Sequence, residues 1–387
     1  MIYFDNAATT RVSDTAAQAA LTAMTELYAN PSSAHAFGFE AEKALRAARA
    51  AVLAALGFTP SEGSLVFTGS GSEADNLALR GAAHALARRG RHIVLSDSEH
   101  PAVENTAKDL EKEGFTVSRI STESGKLDLD EARAVLTPDT ILVSCMAVNN
   151  ETGAIYDIAS LASLAKALCP NALFHTDAVQ AFTKIPAGVW KKADLVSVSA
   201  HKIHAPKGVG ALFVRKGVRL VPCITGGGQE NGLRSGTEAM PGICAMAAAA
   251  KQATADFAAL DAQVKSINAY LRTRLSTLDG VCINTEPDGF LPHILSIAVP
   301  GLRSEILLRF LSERGIYVSA GSACSAKHAD NRVLSAFGLP DKIADSTLRL
   351  SFSADNTTAE CDAFVKALSD AMQTLIHTLN HFAPARQ

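Results

Sequence analysis

Thr140-Ile141-Leu142-Val143-Ser144-Cys145-Met146 is a nearly unbroken apolar run, and Asn149-Asn150 follow it closely. A strand with no polar face needs cover on both sides, which suits a mostly parallel sheet wrapped by helices. The same pattern recurs on either side of it. Strands are expected at 64–67, 92–96, 172–176, 194–199 and 210–215, with helices at 40–56, 101–114 and 157–168 between them. The 40–56 helix places Ala41, Ala44, Leu45, Ala48 and Val52 on one face and stops at Gly57. After a long helical stretch from about 237 to 277 the character changes. Strand-like 293–299, 316–319 and 347–353, helix-like 303–314 and a final helix read as a smaller α+β unit.

In an open parallel sheet, ligands bind beyond the carboxyl ends of the strands. Four runs here deliver polar groups to that edge. His100 follows 92–96, Asn149-Asn150 follow 140–146, Asp177 and Gln180 follow 172–176, and His201 and Lys202 follow 194–199.

Composition narrows the class. The 387 residues are 48% hydrophobic and 19% charged with a formal net charge of −3. That is material for a large core, and the length favours two domains. No basic surplus for nucleic-acid binding is present. Residues 1–6 lack a charged n-region and an apolar h-region, so no signal peptide is expected there. The most apolar stretch, 239–250, carries Pro241 and Gly242 and is too short for a span of about 20 residues. Seven scattered cysteines with no C-x-x-C pair argue against a disulfide framework and against a structural zinc site. We expect a reducing, cytoplasmic setting, no metal, and most cysteines as inert core residues.

Each chemical reading has a plainer alternative. Thr68-Gly69-Ser70-Gly71-Ser72-Glu73 offers backbone N–H groups and a helix dipole to an anion, or is a turn with an N-cap serine. Asp177 would pair with a pyridinium nitrogen, or cap a helix. In Ser199-Ala200-His201-Lys202 the lysine would attack an aldehyde while Ser199 and His201 donate to a phosphate; otherwise it is a salt-bridged lysine. Cys324 sits among small residues in Ser319-Ala320-Gly321-Ser322-Ala323-Cys324-Ser325-Ala326-Lys327-His328, where exposure and nearby cations favour thiolate, or it is an incidental loop cysteine. Arg349 lies inside an apolar strand and needs either a substrate carboxylate or a structural acid. The glycine-rich stretch from Gly226 to Thr237 is expected to pack against nothing in its own subunit, as a mobile lid or a contact to another subunit.

Read together, these residues resemble the cysteine desulfurases, in the class V aminotransferase group of fold-type I pyridoxal-phosphate enzymes. The motifs span nearly the whole chain. They are Tyr3-Phe4-Asp5-Asn6-Ala7-Ala8-Thr9-Thr10, Asn30-Pro31-Ser32-Ser33, Ser98-Glu99-His100, Val148-Asn149-Asn150-Glu151-Thr152-Gly153, Ala200-His201-Lys202, Arg234-Ser235-Gly236-Thr237 and Gly321-Ser322-Ala323-Cys324. The resemblance implies an α/β fold: a large cofactor domain, residues 16–254, on a mostly parallel seven-stranded sheet. Residues 1–15 and 255–387 would form the small domain that carries the cysteine loop.

The resemblance also implies roles. Lys202 carries pyridoxal 5'-phosphate as a Schiff base, His100 stacks on the ring and assists proton transfer, Asp177 pairs with the ring nitrogen, and Gln180 meets the ring hydroxyl. Gly71, Ser72, Ser199 and His201 hold the phosphate, joined by Thr237 from a second subunit of a homodimer. Asn150 also lines the cofactor and, with Arg349 and nearby Asn30, receives the carboxylate of L-cysteine. Cys324 takes the sulfur, passes it to an acceptor protein such as an iron–sulfur scaffold or a thiolation enzyme, and would transiently ligate a nascent cluster. The cysteine segment looks like the long-loop subgroup, group I, with a slightly short continuation to Val333-Leu334. The ending Ala385-Arg386-Gln387 lacks the tail by which housekeeping members dock a scaffold. Selenocysteine lyase, another class V aminotransferase and a non-catalytic sulfur-relay subunit are the alternatives.

Overall fold

The computed structural model describes residues 1–320 and 331–382 of the chain. Its strands are β1 (Ile2–Tyr3), β2 (Gly63–Thr68), β3 (His92–Ser96), β4 (Thr116–Ile120), β5 (Thr140–Ser144), β6 (Leu173–Asp177), β7 (Leu195–Ser199), β8 (Gly210–Arg215), β9 (Cys282–Ile283), β10 (Ile294–Ala298), β11 (Ile316–Tyr317), β12 (Ser319–Ala320) and β13 (Thr347–Ser351). Seven of them form one sheet in the order β2-β8-β7-β6-β5-β3-β4. Within it β8 runs antiparallel to both neighbours, and the remaining pairings are parallel. The buried residues of β3, β5 and β7 explain the unbroken apolar runs, because helices cover both faces.

One cover is the helix Gly71–Leu86 with Pro101–Lys112, burying Leu77, Leu79, Val103 and Leu110. On the other, the helices Asp14–Thr25, Ala36–Ala55 and Met240–Ala255 pack together. A separate core gathers Phe4, Leu271, Leu295, Leu350, Phe352 and Phe364. The N-terminal strand belongs to this second core: β1 pairs in parallel with β11, and Phe4 meets Phe352 edge-on at 5.2 Å.

Glycine is required at one position that shapes the site. A Cβ on Gly210 would lie 2.4 Å from the Ser70 carbonyl carbon, so β8 can pass behind the Ser70–Gly71 turn only without a side chain.

Several expectations shift. The helix expected at 40–56 begins at Ala36, where His35 Nδ1 accepts from Gly38 N at 3.0 Å. The stretch at 237–277 is two helices, Met240–Ala255 and Phe257–Leu275, divided at Asp256. The strand-like 316–319 is split into β11 and β12, which join different sheets. Strand β4 and the helix Leu129–Val135 were not anticipated.

The cysteines divide more evenly than their sequence context suggests. Cys145, Cys169 and Cys361 are buried, whereas Cys223, in the connection after β8, and Cys282, at the start of the two-residue β9, are exposed. No helix among the described residues is long and apolar enough to cross a membrane.

Candidate active site

The strand ends converge as the sheet topology requires. Strands β5, β6 and β7 lie side by side and parallel, so the residues beyond their carboxyl ends share one rim. Asp177 ends β6, Ser199 ends β7, and a single 3₁₀ turn, Ala200–Lys202, carries His201 and Lys202 onward. His100, the N-cap of Pro101–Lys112, reaches the same rim from β3; its Nδ1 accepts from Ala102 N at 3.1 Å.

The Lys202 amine is half-buried and donates to Ala7 O at 2.5 Å and Ala8 O at 2.8 Å. Gln180 Nε2 donates to the same Ala7 carbonyl at 2.8 Å, and Lys184 Nζ donates to Gln180 Oε1 at 3.3 Å. Burial pulls the Lys184 amine down to about 7, with Lys202 and Arg349 adding repulsion. Lys184 was not singled out in the sequence, since nothing local distinguishes it from a surface lysine seven residues past Asp177.

Asp177 is buried and takes a 2.8 Å hydrogen bond from Val179 N. Burial raises its carboxyl above the usual range, while His100, the Val179 N–H and Lys202 oppose that rise. A carboxylate so placed gains by meeting a cation. Burial lowers His100, and Asp177 partly offsets this. Burial, followed by Lys202, carries His201 down to about 4, so its ring is neutral near pH 7; His201 Nδ1 lies 3.2 Å from Thr9 Oγ1.

Of the residues that the resemblance gives to a phosphate, Gly71 and Ser199 meet at a helix start. Ser70 caps Gly71–Leu86, with its hydroxyl accepting from Glu73 N at 3.1 Å. A Cβ on Gly71 would come 3.2 Å from Ser199 Cβ and 2.8 Å from Val179 Cγ2, so the glycine keeps a hollow open between helix and strand. Ser199 Oγ faces that hollow buried and without a hydrogen-bond partner. Ser72 is exposed on the first turn. Buried polar atoms are normally paired, so an unpaired hydroxyl beside a helix N-terminus fits an anion.

Arg349 and Asn150 also come together. Arg349, in β13, donates to Asn150 O at 2.9 Å and to Asp5 Oδ1 at 3.0 Å. Its Nε and the Asn150 Oδ1 are buried without partners. The structural acid held open as the alternative therefore exists, and it is Asp5. Asn30 sits on an exposed loop where its side chain accepts from Ser32 N at 2.9 Å.

The glycine-rich stretch is corrected: it does not pack against nothing. Glu230 is buried and forms a two-pronged ion pair with Arg49, at 2.5 and 2.8 Å, while Phe67 N donates to it at 3.0 Å. Arg234 bonds Glu73 at 2.8 Å, and Thr237 beyond it is exposed. The charged residues between the glycines tie the loop down, which its glycine count concealed. Cys324, Lys327 and His328 lie outside the described residues.

Comparison with known proteins agrees with this geometry. The aminotransferase class-V family model matches residues 2–364. A NifS/IcsS protein homolog from Lactobacillus delbrueckii subsp. bulgaricus is 40% identical over 381 residues, covering 96% of this chain and 97% of the relative. A cysteine desulfurase from Nostoc sp. is 40% identical over 379 residues, covering 97% and 94%. A solved structure named NifS-like protein superposes with a TM-score of 0.90 at 38% identity, covering 96% of this chain and 99% of the other. With the family model spanning most of its length and full-length relatives at this identity, the chain belongs to the class V aminotransferases.

Proposed function

We propose that this protein is a cysteine desulfurase that takes sulfur from L-cysteine, leaves L-alanine, and carries the sulfur on Cys324. The observation that carries the reading is the unpaired buried Ser199 hydroxyl beside the Gly71 helix start, with Asp177 and Lys202 on the same rim. Those donors, that acid and that amine suit pyridoxal 5'-phosphate, which supplies an electron sink that acidifies the Cα–H of a bound amino acid. Gly71, Ser72, Ser199 and His201 would hold its phosphate with Thr237 of a second subunit. Asp177 would meet its ring nitrogen, Gln180 its hydroxyl, His100 its face, and Lys202 its aldehyde.

The chain's own residues account for the remaining steps. Arg349 and Asn150 bind the substrate carboxylate, with Asn30 at the loop edge, and so fix which Cα substituent faces Lys202. The Lys202 amine takes the Cα proton and later returns one to the alanine carbon. His100, neutral and hydrogen-bonded at Nδ1, moves a proton at Nε2. Cys324 thiolate attacks the substrate sulfur; an S–S bond forms on the enzyme and the C–S bond of the substrate breaks. Holding the reacting groups in register is worth about 7–11 kcal/mol.

The separate core around Phe4, Leu295 and Phe364 supports a division into a large domain, residues 16–254, and a small domain, residues 1–15 and 255–387, with Ala7, Leu291 and Ile294 packing across that boundary into the large-domain core. A homodimer in a reducing compartment, serving an iron–sulfur scaffold or a thiolation enzyme, completes the reading. The test is incubation of the holoenzyme with L-cysteine, with alanine and protein-bound persulfide measured together. Matched amounts of both, with persulfide lost in Cys324→Ser, are expected. Alanine released at the wild-type rate by Cys324→Ser would overturn the thiol's role and favour a selenocysteine lyase, whereas a keto acid in place of alanine would favour an aminotransferase.

A further inference from the structure

One layer beneath Asp177 lies a second sealed carboxylate that the reaction above does not use. Asp75, on the helix Gly71–Leu86, is 1% exposed. Its Oδ1 has no hydrogen-bond partner, and His175 Nε2 lies 3.6 Å from it. His175 sits two residues before Asp177 on β6, with Nδ1 2.8 Å from Ser144 Oγ and Nε2 2.9 Å from Ser197 Oγ. The Ser197 hydroxyl also faces Asp75, where it opposes the rise that burial imposes on that carboxyl. A buried hydrogen-bonded chain therefore runs Ser144–His175–Ser197 across β5, β6 and β7, with Asp75 of the helix packed against its His175–Ser197 end.

The groups facing Asp75 are Asp177 and His175 from β6, Ser197 from β7, and Glu99 from the segment after β3. None supplies positive charge. Burial holds the His175 ring down to about 3, so it is neutral, and Glu99 is itself raised to about 8. Three acids in one dry cluster cannot all ionise without a cation for each. Asp177 is the one that faces His100 and Lys202.

We propose that Asp75 is a positioning residue that keeps its proton, a neutral wedge between the helix Gly71–Leu86 and strands β6 and β7 that leaves the cluster's negative charge on Asp177. The mechanical link is direct: Ser197 is the cross-strand partner of Asp177, and its carbonyl accepts from Ala178 N at 2.9 Å. Displacing Asp75 moves Ser197, and with it the strand end that presents Asp177. Charging Asp75 would set a second anion behind Asp177 and drive the pair to share a proton. The idea rests on the proposed cofactor reading only for the ring nitrogen that Asp177 meets.

The test uses full-length Asp75→Asn and Asp75→Ala, with and without pyridoxal phosphate, in thermal unfolding from pH 5 to pH 8. An acid whose proton is held more tightly in the folded than in the unfolded chain gives stability that is complete below the unfolded value. That stability is lost as pH rises toward the folded value. Both variants lack this loss, so their Tm should gain on the wild type by several degrees between pH 5 and pH 8. Asparagine imitates the neutral acid, so its cofactor Kd should stay within about twofold of the wild type, whereas alanine should weaken binding by about 10-fold or more. A pH-independent Tm difference in both variants overturns the proposal. So does a loss of cofactor affinity in Asp75→Asn as large as that in Asp75→Ala. These readouts are independent of sulfur release, so failure here and failure of the desulfurase reading are distinguishable.

Discussion

Arg349 Nη2 lies 3.0 Å from Asp5 Oδ1, so the arginine assigned to the substrate carboxylate already holds one from its own chain. Asp5 also accepts from Ser319 Oγ at 2.7 Å, which fixes it at the junction of the N-terminal segment and β12. The Arg349 side chain is 7% exposed, and breaking a buried pair from one side typically costs about 3–5 kcal/mol. Asp5→Ala should lower stability by about that amount in urea unfolding, and saturating L-alanine should recover part of it by mass action. Equal stabilisation of the wild type and the variant by L-alanine would show that Arg349 does not bind the carboxylate.

Replacing Arg349 by lysine keeps the charge and removes the planar fork. The expected result is a rise in KM for L-cysteine of about 10- to 100-fold, corresponding to about 1.5–3 kcal/mol for a charge-assisted bond. Cofactor affinity should hardly change. Weakened cofactor binding with an unchanged KM would contradict the assignment.

Lys184 predicts a pH dependence. Its amine is held down to about 7 from an ordinary 10.5. Between those values the unfolded chain binds more protons than the folded one, so stability from this group rises with pH across that window. Lys184→Met should be more stable than the wild type at pH 7, with the advantage fading toward pH 10. A Tm difference that is constant with pH would mean that the amine titrates normally.

Lys202→Ala should leave no cofactor covalently trapped after borohydride reduction, as read by intact mass, while phosphate-dependent binding persists more weakly. Trapping on another lysine, Lys184 being nearest in the hydrogen-bond chain, would move the assignment.

Glu230 anchors the loop that leads to Thr237. Its side chain is 2% exposed and neutralises Arg49. Glu230→Ala should destabilise the protein by about 3–5 kcal/mol and should open residues 224–237 to proteolysis. Retained protease resistance with normal stability would show the loop to be held by other contacts.

Much of the architecture was readable because buried parallel strands leave a strong signal. The runs at 92–96 and 210–215 coincide with β3 and β8, and the polar residues beyond the strand ends meet on one rim. Strand β4 escaped notice because an edge strand bearing Thr116, Ser118 and Arg119 has neither an unbroken apolar run nor two covered faces. The reversal of β8 was hidden because hydrophobicity is the same read in either direction. The break at Asp256 was hidden because helix-favouring residues flank it on both sides. Asp5 was visible only as part of a motif, since its partner Arg349 stands 344 residues further on. Asp75 and Lys184 read as surface charges on helix and turn, and burial that arises solely from tertiary packing leaves no local trace.

Ala7, whose carbonyl receives the Lys202 amine, gives its own N–H to Ser351 Oγ at 2.8 Å, across 344 residues of chain. A ribosome adding about 5–20 residues per second needs roughly 20–70 s to make that second half of the contact. In the part of that interval after β8 ends at Arg215, the nascent chain exposes a finished strand rim without Ser351 to brace its front wall. Strand β13 is thus the one that shuts the door, and a cofactor arriving before it is made would find it still ajar.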